Sequence, residues 1–196
     1  SLPRCQELPG KGELCALYLT GDGSLGLAWS EGVCALTPLE VQMDPDCLAG
    51  RKCIGHDIKT LLHRLDELGL TACEFVFDTA LAAYDLNPSQ SDYPVSKLAT
   101  NFLGTTVDDA DALACAEALW QLRPVLQEEL QKQELTALYE EIELPLCSVL
   151  YRMEKEGVAI DREQLTQFGG YLQQKEIYQG SAYRGTVRRS ANLVIR

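Results

Sequence analysis

No stretch of about 18 consecutive apolar residues occurs in the 196-residue chain, so nothing in it reads as a membrane span. The opening SLPRCQELPGKG lacks a basic start followed by an apolar core, so no secretory signal is visible. There is no Gly-rich phosphate loop, no Gly-x-Ser-x-Gly elbow and no His-Glu-x-x-His pair, which leaves the common nucleotide, esterase and zinc-protease chemistries without their residues. Bases are scarce: 17 Lys and Arg stand against 29 Asp and Glu, for a formal charge of −12. Backbone phosphates repel such a chain unless its bases cluster, which argues against strong unaided DNA binding. Eight cysteines are present at positions 5, 15, 34, 47, 53, 73, 115 and 147, with no Cys-x-x-Cys spacing. With only His56 and His63 to add, no zinc set forms, and the cysteines read as reduced, small apolar side chains of a cytoplasmic protein.

What is present is organised around Cys53 to Pro88 (CIGHDIKTLLHRLDELGLTACEFVFDTALAAYDLNP). Ile58, Leu61, Leu62, Leu65 and Leu68 stripe one face of a helix that Gly69 can end in the left-handed conformation. Phe75 to Phe77 is a short buried strand, Asp78 stands where a helix cap is wanted, and Thr79 to Leu86 continues as a helix that Asn87-Pro88 stops. The order is strand, helix, strand, helix. Upstream, Glu13 to Thr20, Ser24 to Trp29 and Val33 to Thr37 are separated by Gly-Asp-Gly and Ser-Glu-Gly turns and predict an antiparallel meander. Pro38 to Arg51 reads as a connection carrying one short helix.

Downstream, Val95, Leu98, Ala99 and Phe102 space a short helix ended by Gly104. A long amphipathic segment starts near Asp108, and Pro124 inside it predicts a kink or a restart. Helical spacing resumes from Leu126 to Ile142, and Pro145 to Glu156 predicts a helix with proline first and Gly157 after its end. Val158 to Ile160 is extended, and Asp161 with Gln164 starts a last helix that Gly169-Gly170 weakens by about 2 kcal/mol. Beyond Gly180 the composition changes sign: GSAYRGTVRRSANLVIR holds four arginines and no acid.

GHDIKTLLHRL with FDTALAAYDLNP, and ELPLCSVLYRMEKEGVAID (Glu143 to Asp161), resemble the bacterial DNA polymerase I family (family A). The first two resemble its proofreading-exonuclease-like domain and the third resembles the join to the polymerase body. The resemblance implies an α/β fold: a ribonuclease-H-like (3′-5′ exonuclease-like) mixed sheet with flanking helices, followed by a helical extension. It divides the chain into an exonuclease-like domain (1–130), the helical start of the polymerase domain (131–178) and a divergent basic tail (179–196). The tail is expected to be a frameshifted or truncated reading frame, with a basic nucleic-acid arm as the alternative.

Cleaving a phosphodiester with two metal ions about 3.5 to 4 Å apart requires several converging carboxylates. The resemblance places them at an Asp-x-Glu pair on the first strand, at an Asp early in the helix after the Gly-His-Asp turn, and at a Tyr-x-x-x-Asp on a late helix. Here the first position falls within Leu17-Tyr18-Leu19-Thr20, with Leu17 and Leu19 as the degenerate pair. At the second, Asp57 takes the turn position and Leu61 replaces the metal-binding aspartate. At the third, Asp109 or Asp111 supplies the acid, with Val107 in place of tyrosine if Asp111 is the match. No catalytic residue, metal ligand or cofactor is therefore assigned to this segment, and magnesium is expected only in the complete polymerase. The implied role is a catalytically inactive structural module of a DNA replication and repair enzyme. Its partners would be the polymerase body of the same chain and, through it, template-primer DNA. The alternatives are a residual metal-dependent 3′-5′ exonuclease using Asp57 and Asp111, and a stand-alone interaction module using the helices over 126–156.

Overall fold

The computed structural model describes residues 8–71 and 73–157. The expected extended piece at Val158, the last helix and the basic tail lie outside the described residues. The described architecture is that of the unit ending at Glu156.

Three strands open it: β1 (Leu14–Leu19), β2 (Leu25–Trp29) and β3 (Gly32–Leu36), paired antiparallel in sequence as the turns demand. Helix α1 (Pro38–Met43) follows, started by a capping box between Thr37 and Glu40 with proline at its head. Then β4 (Lys52–Gly55), α2 (Ile58–Glu67), β5 (Glu74–Asp78) and α3 (Thr79–Leu86) reproduce the strand, helix, strand, helix order. Gly69 sits at φ +71° after α2, the conformation that glycine adopts without a Cβ penalty. Strands β4 and β5 run parallel to β1, so the sheet is mixed, in the order β3-β2-β1-β4-β5.

The period of two along β1 sends Cys15, Leu17 and Leu19 to one face and Ala16 to the other. The first face packs leucines and cysteines of the strands against Val41, Leu48, Leu61 and Leu65. The second is lined by small residues and lies under α5 (Ala112–Lys132). There Gly26 is obligatory: a Cβ on it would stand 1.8 Å from the carbonyl oxygen of Ala112. The close approach lets Cys115, Ala116, Leu119 and Leu122 bury fully against the sheet.

Helix α4 (Val95–Leu98) runs into a π-helical turn, Ala99–Leu103, that Gly104 ends at φ +68°. Two expectations about the later helices are corrected. Helix α5 passes through Pro124 without interruption. Pro124 is on the exposed side, where the missing amide opens the helix toward solvent, while Leu119, Leu122, Leu126 and Leu130 hold the inner side. The break comes instead at Gln133–Glu134. Glu134 adopts φ +59°, and the Leu135 amide bonds back to the Leu130 carbonyl at 2.9 Å, a helix stop made without glycine. From there α6 (Thr136–Leu138), a π-helical turn (Tyr139–Glu143) and α7 (Leu144–Glu156) are continuous, so Pro145 does not open a helix. The wide turn before it, with the Leu144 amide on the Tyr139 carbonyl, accommodates a residue that has no N–H to give.

Tyr139 ties this segment to the sheet. It is 1% exposed, its ring lies 5.2 Å from that of Phe77, and its hydroxyl accepts from the Asp78 amide at 2.7 Å. Helix α7 is clipped to α2 by Lys59–Glu154, His63–Glu154 and Lys155–Asp66 pairs at 2.6 to 2.8 Å. These are exposed pairs worth little each. Along α7, Leu146, Val149, Leu150 and Met153 remain 38 to 55% exposed, Leu146 and Leu150 of them lining an open cleft shared with Lys59 and Leu81. Among the described residues no helix is long and apolar enough to cross a membrane.

Candidate functional site

At the carboxyl ends of β1 and β4 the chain forms a depression of about 160 Å³. It is lined by Leu17, Tyr18, Leu19, His56, Asp57, Thr60, Leu61 and Arg64. The fold thus brings together Leu17, Leu19, Leu61 and Asp57. Val107, Asp109 and Asp111 are not among the lining residues.

The leucines get there by strand alternation and helix period. Leu17 and Leu19 point the same way from β1, and Leu61, one turn into α2, faces them. They are 0, 4 and 5% exposed and belong to one apolar cluster. Each buried leucine side chain contributes roughly 1.5 to 3 kcal/mol. The hydrocarbon that fills the spot is part of the core.

Each acid nearby has a structural engagement. Asp57 takes the left-handed conformation at φ +50° and caps α2, accepting from the Thr60 amide at 3.4 Å. Asp109 accepts from the Ser96 amide and hydroxyl at 3.0 and 2.5 Å. Its carbonyl accepts the Tyr18 hydroxyl at 3.2 Å. Asp111 caps α5 through the Leu113 and Ala114 amides, both at 3.0 Å. Val107 is partly buried against the α5-side core. Burial, with Cys115 and Asp109 beside it, pushes the Tyr18 hydroxyl above its ordinary value, so it stays a neutral donor.

Arg64 is the residue that sequence reasoning missed. Its Nη1 donates to the Leu19 carbonyl at 2.8 Å and its Nη2 to the Thr20 carbonyl. A guanidinium therefore supplies hydrogen bonds to the carbonyls at the end of β1, in the wall of the depression. Its position three residues after Leu61, on the same helical face, was the available signal.

His56, in the wall of the depression, is held by a neighbouring hydroxyl. Its Nδ1 lies 2.8 Å from the Thr79 hydroxyl, which in turn donates to the Gly55 carbonyl. Burial holds the imidazole below its ordinary value despite Asp78, Asp57 and Asp109, so the ring is kept neutral.

The buried carboxylate of the region is Asp78, at the end of β5 and 2% exposed. Its Oδ1 accepts from the amides of Asp57, Ala80 and Leu81 at 3.0, 2.9 and 3.2 Å, and its Oδ2 from that of Ile58 at 2.7 Å. One side chain thus satisfies the amino ends of both α2 and α3.

Magnesium requires oxygen ligands in near-octahedral array, and a pair of such ions needs several carboxylates between them. Three leucines, a guanidinium and one capping aspartate do not meet that requirement. Among the described residues no group of three His, Cys, Asp or Glu side chains is arranged to hold a metal ion.

No family model matches the chain. It is similar to "DNA polymerase I" of Caldicellulosiruptor bescii, 31% identical over 128 residues, covering 62% of this chain and 15% of the relative. The protein of the same name from Geobacillus stearothermophilus is 31% identical over 173 residues, covering 76% and 20%. That from Mycobacterium bovis is 32% identical over 142 residues, covering 60% and 16%. The chain therefore spans less than a quarter of the length of these relatives. Among solved structures it resembles the "POL domain of Pol1 from M. smegmatis complex with DNA primer-template and dNTP". The TM-score is 0.62 at 27% identity, covering 80% of this chain and 30% of that one.

Proposed function

Because the chain is related to a segment of bacterial DNA polymerase I, a family A polymerase, we propose that it is the exonuclease-like part of such an enzyme, retained as a structural module without nuclease chemistry. The sheet order β3-β2-β1-β4-β5, an antiparallel meander joined to two parallel strands, supports a ribonuclease-H-like plan.

The observation that carries the proposal is the depression itself. Hydrocarbon from Leu17, Leu19 and Leu61 occupies the positions that metal-binding carboxylates would need, and Arg64 places positive charge beside them. The module's work is then mechanical. Residues from about 131 begin the polymerase part, and the apolar side of α7 is the surface that the polymerase body covers. Template-primer DNA and magnesium are engaged by the whole enzyme in the cytoplasm, through residues outside this chain.

The test is a 3′-labelled single strand incubated with the full chain and magnesium or manganese, beside an active proofreading exonuclease. No shortening is expected in either metal. Metal-dependent shortening that disappears in Asp57→Ala and Asp111→Asn variants would overturn the reading in favour of a residual exonuclease.

A further inference from the structure

On the same face of the sheet, but away from the depression, three cysteines stand side by side. Cys15 on β1 and Cys53 on β4 are paired in register on adjacent parallel strands, with their Sγ atoms 3.7 Å apart. Both are 0% exposed. Cys73, just before β5, packs against the same cluster close enough to Cys53 to act on its thiol, and it is partly exposed. The thiols thus form a file from the surface at Cys73, through Cys53, to Cys15.

A second feature points to chemistry at the inner end. Arg51 is 8% exposed; its Nε donates to the Cys47 carbonyl at 2.8 Å, while its Nη1 is buried with no hydrogen-bond partner. A buried guanidinium nitrogen without an acceptor is costly, and a nearby anion would relieve it. The contact with Cys53 and the Arg51 charge hold the Cys15 thiol below its ordinary value against the opposing effect of burial, while the same contact, Cys73 and burial push the Cys53 thiol well above its own. The thiolate is the form that attacks a disulfide.

We infer that Cys73, Cys53 and Cys15 form a thiol–disulfide relay that takes up oxidation from a small aliphatic disulfide and stores it as a Cys15–Cys53 cross-link between β1 and β4. In the first step Cys73 attacks one sulfur of RSSR, forming a Cys73–S–S–R bond and releasing RSH. Cys53 then passes its proton to the Cys15 thiolate beside it and attacks the Cys73 sulfur, expelling RS−, which takes up from solvent the proton Cys15 had lost and leaves as the second RSH. Finally Cys15 attacks Cys53, and Cys73 leaves as a thiol carrying the Cys15 proton. The sum is two protein thiols and one RSSR giving one protein disulfide and two RSH, so both electrons and both protons end on the small thiol. Facing residues of adjacent strands have Cα atoms about 4.8 Å apart, inside the roughly 4.4 to 6.8 Å range a disulfide spans.

The experiment uses the full chain in non-denaturing buffer with oxidised glutathione, following free thiols and disulfide-linked peptides by mass spectrometry. The expected result is a Cys15–Cys53 linked peptide with Cys73 free at the end. Cys73→Ser should form the same link about tenfold more slowly, because its outer thiol is gone. Cys53→Ala should stop at glutathione carried on Cys73. Circular dichroism confirms that each variant is folded. Cys15 and Cys53 remaining free while Cys73 carries glutathione would overturn the inference. A link that forms equally fast in Cys73→Ser, or only in urea, would also overturn it.

Discussion

Two spots at the carboxyl end of one sheet treat carboxylates in opposite ways. At the end of β5, Asp78 is buried with four backbone amides on its two oxygens. At the end of β1, the depression that would need carboxylates to hold metal ions is walled by three leucines and capped by an arginine. The contrast separates two reasons for burying an acid. Two helix amino ends present donors that cost free energy whenever they are left unpaired, so folding itself demands Asp78. A pair of leucines on β1 demands nothing polar, and only a bound ion could reward a carboxylate there. The structural carboxylate is present, and the position that only chemistry would require is apolar.

The strongest way to break the comparison is to remove the carboxylate that is present. Asp78→Ala strips acceptors from the Asp57, Ile58, Ala80 and Leu81 amides and unfastens α2 and α3 together. We expect a loss of about 4 kcal/mol or more, read by urea denaturation. Asp78→Asn, which retains one acceptor oxygen, should lose less. A loss below about 1 kcal/mol for the alanine variant would mean that water replaces Asp78 without cost, and the contrast would fail.

The converse is to install a carboxylate where none is present. Leu17→Asp places an acid at a fully buried position. It should cost about 3 kcal/mol at neutral pH, less at low pH where the acid is neutral. Magnesium should not restore the thermal midpoint, because one carboxylate beside the Arg64 guanidinium is a poor site for a divalent cation. A midpoint that rises with magnesium would show that the depression still gathers oxygen ligands.

Much of this architecture was legible because it is local. The leucine stripe of α2, the cap at Asp78 and the turns of the meander are stated by residues a few positions apart. What was not legible depends on residues far apart in the chain. Pro124 leaves α5 unbroken because the sheet holds the helix's inner side, and helix period alone carries no record of that support. Gly26 reads as an ordinary strand glycine until Ala112 is found against it. Glu134 ends α5 in a conformation that glycine usually supplies, so the stop carried no composition signal. In the candidate site, the resemblance pointed to the Leu17–Thr20 stretch and to Leu61, and the structure has Leu17, Leu19 and Leu61 lining one depression. Asp109 and Asp111 were open alternatives for the remaining acid, and their partners Ser96 and the α5 amides are visible only in three dimensions.

Between the two extremes lies Asp85, on α3. Its Oδ2 is buried and accepts no hydrogen bond. Burial first, and the Glu143 charge second, push its carboxyl up to about 6. A folded-state value above that of the unfolded chain means that the native state binds the proton more tightly, so this group's contribution to stability is present below about pH 4 and is lost as pH rises through about 6. Partial exposure and solvent screening keep the effect under about 1 kcal/mol. Asp85→Asn should therefore match the parent chain's stability near pH 4 and exceed it slightly at pH 8, by urea denaturation at each pH. An equal difference at both values would assign the effect to packing. A variant less stable at pH 8 would show that Asp85 has a native partner and belongs with Asp78.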